Sequence, residues 1–222
     1  YFGLHKVSDG RIFREWAPNA TCIYLIGTCN GWQKDPAYKL NNIGSGVWEI
    51  FIPEHALHHG DLYKLWIEWN GGAGERIPAW CRRVVQDTES KIFSAQVWNP
   101  SVPYVFKNKK FVPSKTPLLI YECHIGMSTS KETVGSYTEF RENVLPRIHK
   151  AGYNAIQIMA IQEHPYYGSF GYHVSSFFAP SSRFGAPEEL KELIDAAPEQ
   201  GIAVIMDIVH SHAVKNEIEG LG

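Results

Sequence analysis

The chain has 222 residues, a formal net charge of −2, and 44% hydrophobic and 13% aromatic residues, a composition typical of a globular protein with one or two cores. Its near-neutral charge gives no electrostatic basis for binding nucleic acid or an anionic membrane. No apolar run approaches a membrane span, and the N-terminal YFGLHKVSDG lacks the apolar core of a signal peptide.

The cysteines form neither a CxxC pair nor a zinc-binding spacing; they are Cys22, Cys29, Cys81 and Cys123. Free thiols in a reducing cytoplasm are therefore expected. The chain opens on Tyr and stops just past an apolar run, so we expect it to be a piece of a longer protein.

Residues 1–105 are predicted to form a β-sandwich. Short β-branched and aromatic runs alternate there with Gly, Asn, Asp and Pro. In VWEIFIP (47–53), Trp48, Ile50 and Ile52 recur at every second position, which is the period of a strand with one buried face. Period-two patterning with frequent turns is typical of a sandwich of antiparallel sheets.

The Pro- and Lys-rich stretch 99–117 marks the one predicted domain boundary, and we assign 106–117 as the linker. From 118 to 222 the pattern changes to apolar runs alternating with helical stripes. Three runs are predicted parallel strands: LLIYECH (118–124), NAIQIMAI (154–161) and IAVIM (202–206). The order β-α-β-α-β predicts a parallel sheet with right-handed crossovers.

Two helices are predicted between these strands. Ser136 and Glu139 form a capping box that begins the first, and Pro146 is expected to break or kink it because proline removes a backbone donor. Pro187 lies at the start of the second helix, and Pro198 is expected to stop it.

The segment 201–212 carries the main functional signal. An apolar strand ends in Asp207, followed by His210 and His212, and parallel α/β barrels place their chemistry at the C-terminal ends of strands. The alternative is an aspartate that caps a helix beside two surface histidines. The aromatic-rich segment 162–186 also leaves a strand end and is longer than usual, which predicts a binding wall.

These segments resemble the glucan (glycogen) branching enzymes of the α-amylase superfamily, glycoside hydrolase family 13. The resemblance rests on motifs that occur in family order: FREWAP, GTCNGW, IYECHIGM, LPRIHKAGYNAIQIMAIQEH, YYGSFGYHVSSFFAPSSRFG, PEELKELID and DIVHSH. It implies an immunoglobulin-like carbohydrate-binding module of family 48 over 1–105. It also implies that 118–222 hold the first three strands of a truncated (β/α)8 TIM barrel.

The resemblance also implies a function. A branching enzyme cleaves an α-1,4-glucan with retention and transfers the chain to a glucose 6-hydroxyl. Both catalytic carboxylates follow later strands of the family barrel, so no catalytic residue is expected in this chain, and it should be inactive alone. We expect a cytoplasmic monomer that acts on glycogen or amylose, without a metal or other cofactor.

For the site, the resemblance implies that Tyr172 stacks on a glucose ring, that His212 donates to a glucose hydroxyl and that Asp207 orients neighbouring groups. Core or structural roles for the three are the alternatives, and His210 is expected to be structural. In the N-terminal module, the implied glucan contacts are Trp16, Pro18, Gly46 and Trp32, although such aromatics also build the cores of small sandwiches.

Three other interpretations stay open at this stage. One is a metal-dependent hydrolase with Asp207, His210 and His212 as ligands, joined by Glu122 or His124. Another is a non-catalytic glucan-binding protein. The third is a different α-amylase-superfamily enzyme, such as a debranching enzyme or a trehalose-forming hydrolase.

Overall fold

The computed structural model describes residues 1–113 and 116–215. Positions 114 and 115 of the predicted linker, and 216–222 of the predicted barrel segment, lie outside the described residues. The described residues divide into two compact units: 1–101 with 174–179 and 213–215, and 102–173 with 180–212. The assignment of domains to 1–105, 106–117 and 118–222 stays a prediction.

The first unit is a β-sandwich, as predicted. Its strands are β1 (Gly3–Val7), β2 (Gly10–Trp16), β3 (Ala20–Gly27), β4 (Asn41–Gly44), β5 (Val47–Pro53), β6 (Leu62–Trp69), β7 (Gly72–Arg76), β8 (Val84–Gln86) and β9 (Phe93–Gln96). One antiparallel sheet has the order β1-β2-β5-β4, and the other has the order β3-β6-β9-β8 with β7 paired to β6. The core lies between the sheets.

Alternation along the strands explains this core. Trp48, Ile50 and Ile52 of β5 are at most 6% exposed, and they cluster with buried side chains of the second sheet, such as Leu25 and Leu65. Two charged residues also lie on the inward face of β2, next to buried Phe13. They are Arg11 and Glu15, and each is 4% exposed.

The second unit contains β10 (Ile120–Cys123), β11 (Ala155–Ile158), the short β12 (Gln162–Glu163) and β14 (Ala203–Met206); β13 (Ser176–Pro180) precedes its last helix. Strands β10, β11 and β14 form a parallel sheet in the predicted order. The run at 202–206 has the pattern of a strand buried on both faces, but this expectation is wrong for β14, because Met206 is 45% exposed. In the neighbouring part of the sheet, Ile120 and Tyr121 of β10 are 43% and 39% exposed.

The first predicted helix forms as α1 (Tyr137–Glu139), a π-helical segment (Phe140–Val144) and α2 (Leu145–Lys150). The predicted capping box is present: Ser136 Oγ accepts from the Glu139 amide at 3.1 Å, and the Glu139 carboxylate accepts from the Ser136 amide at 3.3 Å. Pro146 does not end the helix. The wider turn before it accommodates the missing donor, with Leu145 N–H bonded to the carbonyl of Phe140.

The second predicted helix is α3 (Pro187–Glu199), whose buried face contains Leu190 and Leu193. It runs one residue past Pro198, so the predicted stop is early by one position. Proline blocks hydrogen bonding only toward the preceding turn, so the last turn can include it. No helix among the residues described here is long and apolar enough to cross a membrane.

Candidate functional site

The end of β14 brings together two of the predicted site residues. The Asp207 amide donates to the Ile158 carbonyl at 2.9 Å, which extends the pairing with β11 and fixes the backbone beyond the strand. The half-buried Asp207 carboxylate accepts a hydrogen bond from the Tyr172 hydroxyl at 3.3 Å. Burial, followed by the charge and hydrogen bond of Asp207, raises the pKa of Tyr172, so the phenol stays protonated and continues to donate.

The two histidines of the segment are exposed and lie farther along the chain. The backbone before them is anchored, because the Val209 amide donates to Gln162 Oε1 at 2.6 Å and Val209 is buried. His210 and His212 follow this anchor with exposed side chains. No hydrogen bond within the described residues joins His212 to Tyr172 or Asp207, so the structure pairs two of the three predicted site residues.

Sequence reasoning gave no role to Glu163, which is the most heavily bonded buried acid of this unit. Glu163 is 0% exposed, and its carboxylate accepts from the Ser181 hydroxyl at 3.0 Å and from the Ser182 amide and hydroxyl at 2.7 and 2.8 Å. The His164 amide donates to it at 3.1 Å. Burial raises the pKa of Glu163 despite these donors. Glu163 thus holds the segment that follows β13, and it is not displayed to solvent.

His164 is also buried, and its contacts define its protonation. Its Nδ1 lies 3.0 Å from the Gln162 carbonyl, which must accept, and Arg183 Nη1 lies 3.0 Å from Nε2 and must donate. Burial lowers the pKa of His164 to about 4, so the ring is neutral at pH 7 with its proton on Nδ1. It is a structural link to Arg183.

The geometry does not assemble the alternative metal site. Among the described residues, no three His, Cys, Asp or Glu side chains lie close enough together to hold a metal ion. His124 is buried, and its Nδ1 accepts from the Met127 amide at 3.2 Å. Burial lowers the pKa of His124, which favours the neutral ring that this contact requires.

Three of the predicted glucan contacts lie together at one end of the sandwich, where β2 ends and β5 begins. Trp16 is 53% exposed, and its indole N–H donates to the Ser45 carbonyl at 3.2 Å. Gly46 has φ of +77°, and a Cβ there would lie 2.8 Å from the Cα and Cβ of Pro18. The close approach of this turn to Pro18 therefore requires glycine. The exposed indole ring of Trp16 lies beside the turn.

Trp32 belongs to a different place. It follows β3, and its amide donates to the carbonyl of Gly27, the last residue of that strand, at 2.8 Å. Trp16 and Pro18 precede the first residue of the same strand, Ala20. Trp32, which is 37% exposed, therefore lies at the opposite end of an eight-residue strand from Trp16. The structure does not bring the four predicted residues into one site.

Two family descriptions match the chain. "Carbohydrate-binding module 48 (Isoamylase N-terminal domain)" covers residues 1–81, and "Alpha amylase, catalytic domain" covers residues 130–218. The α-amylase match includes the segment with Tyr172, Asp207 and His212, and the module match includes all four predicted glucan contacts. Each match thus falls on the part of the chain for which the sequence predicted it.

The chain is also similar to curated proteins along its whole length. It is 49% identical to the 1,4-alpha-glucan-branching enzyme of Dictyostelium discoideum, covering 100% of this chain and 33% of that protein. It is 47% identical to the enzyme of that name from Yarrowia lipolytica, covering 99% of this chain and 33% of the relative. For the chloroplastic/amyloplastic enzyme 2-2 of Arabidopsis thaliana the identity is 48%, covering 99% and 28%. The chain spans about a third of the length of these relatives.

Solved structures resemble the fold at lower identity. Pullulanase from Bacillus acidopullulyticus gives a TM-score of 0.74 at 18% identity, covering 96% of this chain and 30% of that one. The pullulanase SAP of Group B Streptococcus gives 0.73 at 18% identity, covering 94% and 33%. At such identities the likeness establishes the shared fold.

Proposed function

We propose a function from the premise that this chain is a family 48 carbohydrate-binding module followed by the first part of an α-amylase catalytic domain. The protein that contains it is a 1,4-α-glucan branching enzyme, which cleaves an α-1,4-glucan chain with retention and transfers it to a glucose 6-hydroxyl. The observation that carries this proposal is the similarity of the whole chain, at 43–49% identity, to proteins named as that enzyme.

In this proposal the chain supplies binding surfaces, and the two carboxylates of retaining glycosyl transfer come from beyond residue 222. The chain alone then has no turnover. The glucan is glycogen or a similar α-1,4-glucan, and the protein acts as a cytoplasmic monomer. A plastid location, as in the name of the Arabidopsis relative, is the alternative to test by fractionating cells of the source organism.

Tyr172 and Asp207 form the fixed part of the glucose-binding wall. The Tyr172 hydroxyl is held by Asp207, so the phenol ring is oriented before sugar arrives and can stack on an apolar sugar face. Asp207 thereby acts as a positioning residue. Exposed His212 lies five residues past Asp207, and in the proposed role it donates to a hydroxyl of the glucose at the cleavage point.

The module contributes a second glucan contact. The exposed indole of Trp16, supported by Pro18 and Gly46, is the proposed sugar platform. Trp32, at the far end of β3, is a separate contact of the same kind. Neither requires a metal or cofactor.

Single substitutions in the full-length protein test the proposal. His212→Ala should lower kcat and kcat/KM together, by about 2–4 kcal/mol in barrier height, because a donor that strengthens in the transition state is lost. His210→Ala is the matched control and should cost less activity. Tyr172→Ala should cost more than Tyr172→Phe, which keeps the ring but loses the bond to Asp207.

Activity is measured by the iodine stain and by debranched chain-length profiles, with reducing ends counted in parallel. Formation of new α-1,6 linkages without a matching rise in free reducing ends is expected. Hydrolysis without new branches would replace the proposal by a hydrolase. Equal loss in both histidine variants would remove the special role of His212.

A further inference from the structure

A pocket in the β-sandwich is lined by cations and by no acidic residue. It has a volume of about 250 Å³, and Lys6, Arg11 and Arg82 line it. Strands β1 and β2 place Lys6 directly opposite Arg11 in antiparallel register. Like charges that face each other across a strand pair are destabilising, so a bound anion would reduce the repulsion between these two cations.

Arg11 is the buried member of this group. It is 4% exposed, and its one hydrogen bond within the described residues is from Nη1 to the Leu57 carbonyl at 2.6 Å. Among the residues that the structure describes, no carboxylate lies within ion-pair distance of Arg11 or Arg82. A buried cation without a counter-charge is costly. The remaining N–H groups of such a guanidinium match the oxygens of a phosphate group.

Lys6 has an acidic neighbour, but only at the surface. Its Nζ lies 3.5 Å from the Glu54 carboxylate, and both side chains are at least half exposed. Exposed pairs of this kind contribute little, and salt screens them. Glu54 therefore leaves the positive charge inside the pocket largely uncompensated.

The remaining wall has the apolar and polar groups that a sugar requires, and its polar groups include Gln96 and Asn99. Trp80 and Trp98 line the pocket together with Leu4 and Val97. Both rings have fixed neighbours. The ring of Trp80 stacks on the ring of Phe2 with 4.4 Å between centroids, and the guanidinium of Arg83 lies 4.5 Å from the centroid of the Trp98 ring. The volume equals that of roughly eight waters at about 30 Å³ each, which exceeds the need of a bare phosphate. It falls short of the sites of about 300–1,000 Å³ that take drug-sized ligands.

We infer that this pocket binds the phosphate monoester of a glucose unit. Arg11, Lys6 and Arg82 hold the phosphate, and the walls at Trp80 and Trp98 contact the sugar. The site lies away from Trp16, because Arg11 and Trp16 are near opposite ends of β2. The same chemistry is offered by a free hexose phosphate and by a phosphorylated glucose within a glucan. The inference does not depend on the branching reaction.

Calorimetric titration of the full-length protein tests the pocket with glucose 6-phosphate, glucose and inorganic phosphate. Glucose 6-phosphate should bind at least ten-fold more tightly than inorganic phosphate, and glucose alone should give no measurable binding. Arg82→Gln, at an exposed position, should weaken glucose 6-phosphate binding at least ten-fold, and Arg11→Gln should weaken it further. Lys110→Gln, an exposed lysine outside the pocket, is the control and should change nothing.

Three results would overturn the inference: no binding of glucose 6-phosphate, equal affinity for inorganic phosphate, or unchanged affinity in a correctly folded Arg82→Gln. If Arg11→Gln does not fold, Lys6→Gln provides the second pocket variant. Phosphorylated amylopectin fragments, before and after phosphatase treatment, separate the two sources of ligand. Binding that is lost after phosphatase treatment identifies the glucan-linked ester, and binding of the free sugar phosphate alone identifies a metabolite.

Discussion

Glu15 should make the stability of the β-sandwich depend on pH. It is 4% exposed on the inward face of β2, and burial raises its pKa to about 7, although the Trp16 and Ala79 amides donate to its carboxylate at 2.9 and 3.0 Å. Its ordinary value is 4.5. A difference of about 2.5 pH units corresponds to roughly 3 kcal/mol, at about 1.4 kcal/mol per unit.

The sign follows from which state binds the proton. Between pH 4.5 and about 7, the folded sandwich keeps a proton on Glu15 that the unfolded chain has lost. Stabilisation from Glu15 is therefore fully present below pH 4.5 and is lost as the pH rises through about 7. In Glu15→Gln this component should disappear, since the amide does not titrate.

Urea unfolding of the chain at pH 5, 6, 7 and 8, followed by tryptophan fluorescence, measures the effect. The difference between wild type and Glu15→Gln should change by about 2–3 kcal/mol over this range and level off above pH 7. Glu49→Gln is the matched control, because Glu49 lies on neighbouring β5 and forms a half-buried ion pair with Arg14. A wild-type slope that survives in Glu15→Gln would refute the assignment of the titration to this carboxylate.

Two further substitutions test the close contacts of each unit. Gly46→Ala should destabilise the sandwich by at least about 1–2 kcal/mol, because alanine is strained at a positive φ and its Cβ would also clash with Pro18. Gly60→Ala is the control for the backbone strain alone, because Gly60 has φ of +92° and open space around it. Equal losses of urea stability in both would contradict the clash. Glu163→Gln should lower the free energy of unfolding by about 2–4 kcal/mol, because an NH₂ group replaces an oxygen that accepts from buried donors. The control is Glu142→Gln at an exposed position, which should cost under about 0.5 kcal/mol. Thermal unfolding measures both. A mild Glu163→Gln would mean that these donors find other acceptors.

Most of the fold could be predicted from local sequence patterns. The apolar runs at 118–124, 154–161 and 202–206 fixed the three parallel strands and their order, because length, apolarity and the intervening helical stripes all point to one topology. Strand ends differed by up to three residues, since the edge of hydrogen bonding depends on the neighbouring strand. The interruption before Pro146 was predictable, but its form as a wider helical turn was not.

Charges on buried faces were the main features that the pattern did not reveal. In RIFREW, period-two alternation assigns Arg11 and Glu15 to the same face as Phe13, but their charge argues for solvent. The fold resolves this conflict with partners that are distant in sequence. The Glu15 carboxylate accepts from the amide of Ala79, and the Arg11 guanidinium donates to the carbonyl of Leu57. Alternation could have flagged both residues, but it could not have identified those partners.

The candidate site shows the same division between residue type and partner. The strand end at Asp207 was predictable because an apolar run stops at a carboxylate. The aromatic segment 162–186 was predicted as a binding wall, without a contact to that carboxylate. The bond between Tyr172 and Asp207 spans 35 positions, and the bonds from Glu163 to the 181–182 segment span 18 and 19. None of these pairs has a sequence signature.

The hydrogen bonds of Glu163 and Asp207 show that these two acidic residues near strand ends differ in their roles. Glu163 is enclosed and accepts hydrogen bonds from several donors, so its carboxyl oxygens hold the backbone after β13. Asp207 is only half buried, and its one side-chain hydrogen bond in the described part of the chain is to Tyr172. A carboxylate accommodates more than one donor, so Asp207 retains acceptor capacity beside an aromatic ring. Of the two acids, Asp207 is therefore the one that holds the Tyr172 hydroxyl and still has acceptor capacity for a further donor.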